Sequence, residues 1–123
     1  MIDTVDMLLV HRVIRRELRN APEQIGGVKA GNTERSALIA DHLGHIVAAL
    51  HHHHAAEDEL LWPRLRTRVP SSDLKIQQMQ DEHAAIAESA EKVQAIRTRW
   101  GESSDRELAA QLIAATKDLS ARA

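Results

Sequence analysis

The chain has 123 residues, with 16 Lys and Arg against 18 Asp and Glu, eight His, no Cys and a formal net charge of −2. That length describes one domain with room for a real core; 43% apolar content is too high for a disordered chain, and no apolar run approaches the roughly 20 residues that cross a bilayer. The charge balance gives no case for nucleic acid, and the missing Cys removes disulfides, thiolate nucleophiles, iron–sulfur clusters and cysteine zinc sites, so any chemistry must use His, carboxylates or hydroxyls.

With 2% aromatic residues, five Gly and three Pro, the composition suits helices and not sheets, and an all-α fold is expected. Met1 to Asp6 carry two acids and none of the cationic character of a signal or transit peptide, which makes the cytoplasm the expected location. A first helix is predicted from about Thr4 to Asn20, stopped by Pro22 and the Gly-rich segment Gly26 to Asn32. A second and longer one starts at Thr33, taken as its cap, and runs to about Arg66, with Pro63 bending or loosening its last turns. Ser71-Ser72-Asp73 offers caps for a third helix from about Asp73 to Arg99, ended by Gly101, and Ser104 with Glu107 has the spacing of a capping box for a fourth, over 104–123. Links this short predict a single antiparallel up-down-up-down four-helix bundle over residues 1–123. The fourth helix reaches Ala123 without Gly or Pro to finish it, so it reads as truncated, the alternative being a helix that simply ends the polypeptide.

The conspicuous segment is Leu50-His51-His52-His53-His54-Ala55-Ala56-Glu57-Asp58-Glu59-Leu60-Leu61-Trp62-Pro63. At about 100° per residue, His42, Ile46, Ala49, His53, Glu57 and Leu60 fall near one line, His52 and His54 lie about 100° to either side, and His51 points nearly away. Taking Ile46, Ala49 and Leu60 as the core stripe turns His53 and Glu57 inward as a chelating i,i+4 pair, whereas Trp62, about 180° from His53, becomes a packing residue outside the pocket wall. His42 is too far along the helix to share the site, and for His42, His45, His51, His52 and His54 ordinary hydrogen bonding or exposure is expected. On the first helix His11 lies within the face of Met7, Val10, Ile14 and Leu18; on the third, His83 lies within that of Ile76, Met79, Ile86 and Ala90. Each alone reads as a satisfied core histidine. Three helices that each turn His, or His with Glu, toward one interior favour a shared polynuclear metal site of His11, His53, Glu57 and His83. Imidazole and carboxylate without thiolate suit iron, manganese or zinc; iron leads, and a carboxylate between imidazoles suits two metals better than one.

His11, the string His53-x-x-x-Glu57 continued by Asp58-Glu59-Leu60-Leu61-Trp62-Pro63, and His83 resemble the hemerythrin-like, or HHE cation-binding, domain family over nearly the whole chain. The resemblance implies a four-helix bundle with a non-haem di-iron centre, His11 and His53 on one iron, His83 on the other and Glu57 bridging. Family members carry a further His and acid pair on the last helix. This chain has no His after His83, Asp118 falls beside the stripe of the fourth helix, and the second iron's ligands are therefore incomplete within the sequence.

Such a site binds or senses a small diatomic or peroxide ligand (dioxygen, peroxide or nitric oxide) as the leading reading. A redox enzyme that decomposes peroxide or handles nitric oxide is the alternative, so enzymatic activity stays undecided. A metal-free helical interaction module is the third reading. No nucleic-acid or membrane partner is expected, and a homodimer is compatible with the sequence.

Overall fold

The structure, a computed structural model, describes residues 4–123, with side chains from residue 9 onward. Met7, assigned above to the apolar face of the first helix, lies outside the described side chains, as does the segment Met1 to Asp6. All secondary structure among the described residues is helical: α1 (Thr4–Gly26), α2 (Thr33–Ala56), a π-helical turn (Glu57–Leu61), α3 (Trp62–Arg68), a 3-10 turn (Pro70–Ser72), α4 (Asp73–Ser103) and α5 (Arg106–Arg122). Since α2, the π turn and α3 continue one another, the chain forms four helical rods. Of these, α1 packs on α2 and α5, and α4 packs on the same two, closing a helical bundle. No described helix is long and apolar enough to cross a membrane.

Helix α1 does not stop at Asn20 but carries Pro22 through to Gly26. Buried Ala21 and Ile25 continue the stripe of Ile14 and Leu18, and this burial offsets the ~3 kcal/mol that an internal proline costs. Val10, placed by sequence on that face, is 44% exposed on its flank. The loop to α2 turns at Gly31, whose φ of +87° lies in the left-handed region open to glycine. Asn32, not Thr33, caps α2, its side chain accepting the Arg35 N–H at 3.2 Å.

Helix α4 passes its expected end at Arg99 and continues through Gly101 to Ser103, because Trp100 is buried among Leu43, Val93 and Leu112 and holds that turn in register. Gly101 permits the approach of α2: a Cβ there would stand 2.9 Å from that of Ala40. The capping box expected of Ser104 and Glu107 does not form. Ser104 instead ends α4 in the left-handed conformation, its N–H bonded to the Trp100 carbonyl, and Asp105 caps α5 by accepting from Leu108 N–H at 2.9 Å. Ser72 precedes α4 without a side-chain cap, its hydroxyl donating backward to Val69 O at 2.6 Å.

Pro63 does more than loosen a helix end. It has no N–H, and its ring presses on the carbonyl four residues back, that of Glu59. The strain is relieved just upstream, where Trp62 N–H bonds the Glu57 carbonyl, an i to i−5 bond that inserts one extra residue into the turn. Everything beyond is rotated by about 100° relative to a regular helix.

Candidate metal centre

That rotation decides the site. Without it Trp62 stands about 180° from His53; with one residue absorbed in the π turn it stands about 80° from His53 and nearly in line with His54. Trp62 is accordingly buried, its ring centroid 6.4 Å from that of His83, and Leu60, assigned to the core by regular periodicity, is 47% exposed. The core stripe of α2 is Ala40, Leu43, Val47, Leu50 and His54, not the line of His42, Ile46 and Ala49. His53 is buried at the edge of this stripe. His54, expected on the flank, lies at its centre.

Three of the expected residues converge directly. His53 Nε2 is 3.1 Å from Glu57 Oε1, and His83 Nε2 reaches the same oxygen at 3.9 Å. His11 comes from α1 with its ring centroid 5.3 Å from that of His53, and its buried Nε2 has no hydrogen-bond partner. His54 adds a fourth imidazole, stacked on His83 at 3.9 Å between centroids and 11° between planes. One ligand atom from each of His54, Glu57 and His83 can be chosen so that all lie within 4.8 Å of one another.

Asp58 was also missed by the sequence reading. Its Oδ1 accepts from Trp62 Nε1 at 2.9 Å and lies 3.1 Å from His83 Nδ1. A carboxylate accepts, so this contact places the imidazole proton on Nδ1 and turns the lone pair of His83 Nε2 toward Glu57, the arrangement that orients metal-binding histidines. A signal for both residues was present: His54-x-x-x-Asp58 runs beside His53-x-x-x-Glu57 as a second i,i+4 pair, and Asp58-x-x-x-Trp62 is a third.

The other histidines are as expected. His42 bonds Glu17 across α1 and α2 at 3.1 Å, His45 is exposed beside Asp41, and His51 and His52 are exposed. Asp118 accepts from Ser89 at 2.8 Å and pairs with Arg122, and the Ser89 hydrogen bond holds its carboxyl below the usual range.

Burial governs the charge of the cluster. It pushes His54 down to about 3, with His83 and His53 adding to the shift, and lowers His53, with His11 and His83 adding. It also lowers His11, against a smaller opposite pull from the backbone at Ala123, and raises the Glu57 carboxyl, which the neighbouring His83 draws partly back. Burial thus biases His11, His53 and His54 toward the neutral form, the form that ligates metals. The cluster's donor set of nitrogen and oxygen, the orphaned His11 Nε2 and the convergence of His54, Glu57 and His83 within 4.8 Å fit a transition-metal cation. A cavity of about 530 Å3 between α2 and α4 reaches His54, Asp58 and His83; apolar residues such as Val47, Leu50 and Ile86 and polar ones such as His51, Gln80 and Glu91 complete its wall.

The family model of the hemerythrin HHE cation-binding domain matches residues 4–122. The chain belongs to this family. No curated protein and no solved structure gives a match. In this HHE domain the cluster of His54, Glu57 and His83 brings together α2, the π turn and α4.

Proposed function

We propose that the chain is a non-haem iron protein that binds or senses dioxygen, peroxide or nitric oxide. One observation carries the reading: imidazoles from α2 and α4 are buried around the Glu57 carboxylate, and His11 of α1 stands beside them with a buried nitrogen that lacks a partner, an arrangement that costs several kcal/mol unless a cation repays it. His11, His53, Glu57 and His83 are the ligands in this reading, with His54 added, and the helices run antiparallel. Bound iron would supply an open coordination position and one-electron chemistry toward such ligands. In this reading Glu57, within reach of His53 and His83, would be the carboxylate shared by two cations. Asp58 holds His83 in the ligating orientation, and Trp62 holds Asp58. Leu50 and Ile86 keep bulk water from the imidazoles, while the cavity between α2 and α4 admits a small solute.

Elemental analysis of ferrous-loaded protein of verified intact mass tests the reading. About two irons per chain, or one if the second shell is incomplete, are expected; near zero would sink it in favour of a metal-free module. Removal of the iron by chelator should lower Tm by on the order of 5–10 °C. Asp58→Asn should weaken iron binding about 10–100-fold without changing helicity. Added peroxide separates binder from enzyme: stoichiometric bleaching supports binding, whereas sustained gas evolution would make the domain a catalyst.

A further inference from the structure

The outer face of α1 carries a different feature. Arg12, Arg15, Arg16 and Arg19 follow the i, i+3, i+4, i+7 pattern that puts four side chains on one stripe, and all four are exposed. Within a chain of net charge −2, a quarter of the 16 basic residues stands in eight consecutive positions. Among the described residues none of the four makes an ion pair. Glu17, the one acid within the stretch, is turned away to His42 on α2. Glu23, one turn beyond Arg19, stands outside the cleft that the arginines line. That cleft, of about 560 Å3, is formed by the four arginines with Val13 and, from α5, Ser120.

We infer that this cleft binds an oligophosphate. Guanidinium forks pair bidentately with phosphate oxygens, and four of them along one stripe, without an ion pair among the described residues, concentrate positive potential there. From Arg12 to Arg19 the stripe extends about 10 Å, a length that an extended chain of linked phosphates follows and a single phosphate does not. Ser120 supplies a hydroxyl on the opposite wall. The site is independent of the metal centre and of what that centre does.

Calorimetric titration of the full chain with tripolyphosphate at low salt tests the inference. Saturable one-to-one binding is expected, weakened on raising the salt and weakened about tenfold or more by Arg12→Ala or Arg16→Ala. Val13→Glu, which puts a carboxylate among the arginines, should abolish it, while Arg64→Ala, an exposed arginine on α3, should leave it unchanged. Thermal melts confirm that each variant is folded. ATP as a second titrant distinguishes sources: equal affinity assigns the site to the phosphate chain alone, and tighter binding assigns it to a nucleoside triphosphate, both in support. No saturable binding, equal loss with Arg64→Ala, or binding only to vesicles of anionic phospholipid would overturn the inference.

Discussion

The two regions of the bundle core are built on opposite terms. Around Trp100, the side chains of Ile25, Leu43, Val93 and Leu112 are buried against one another, and the few polar groups are satisfied locally, as where Ser36 donates to Gly101 O at 3.1 Å. Around His83, the interior is made of imidazoles, a carboxylate and an indole, held by a π turn and leaving His11 Nε2 unpartnered. The apolar region stabilises the fold by burial alone. The histidine region carries desolvated polar groups that the first region must offset, a division expected where one region serves chemistry.

The largest effect should come from the apolar region. Trp100→Ala, at a side chain 1% exposed, is expected to cost about 3–5 kcal/mol in urea unfolding. A smaller effect is expected from pH, acting through the histidine region of the metal-free protein. His54 has a folded pKa of about 3 against an unfolded value near 6.5, so between these values the unfolded chain binds more protons and stability falls as pH falls. His54 alone should cost about 2 kcal/mol between pH 7 and pH 5, with His11 and His53 acting in the same direction. Glu57 acts oppositely, since its raised pKa stabilises the fold at low pH and the contribution is lost as pH rises through the folded value. Three histidines against one carboxylate leave a net loss on acidification, and a Tm that rose from pH 7 to pH 5 would contradict the burial described.

The comparison sharpens with His54→Leu. In metal-free protein the change should be neutral or stabilising by about 1 kcal/mol, because it exchanges a desolvated imidazole for an apolar group, while iron binding weakens. A loss of stability approaching that of Trp100→Ala would show the histidine region to be ordinary core. The smallest effect belongs to Leu60→Ala, expected within about 0.5 kcal/mol because the side chain is 47% exposed beyond the π turn. A core-sized loss there would restore the regular stripe.

Those last two residues show where the sequence was legible and where it was not. Periodicity on α1 and α4 placed Ile14, Leu18, Ile76 and Ile86 inside, and all are buried. It also placed His11 and His83 on inward faces. On α2 the same reasoning took Ile46, Ala49 and Leu60 as anchors; Ile46 and Ala49 are only half-buried and Leu60 lies in a turn that is not α-helical, so the stripe was set about 100° from where Leu43, Val47, Leu50 and His54 put it. His53 and Glu57 still met, because an i,i+4 pair does not depend on the phase of the rest. His54, Asp58 and Trp62 went unrecognised in their roles because their placement does depend on it.

By itself, the sequence determined an all-helical chain, the residues that approach one another within a helical turn and the family to which it belongs, since these rest on propensity and local spacing. Only the tertiary structure decided how far helices run through Pro22 and Gly101, which face of α2 looks inward, and that Asp58 fixes His83. Those outcomes depend on burial against other helices, which can outweigh a proline or a glycine, and on one carbonyl displaced by Pro63, whose effect is felt a full turn away.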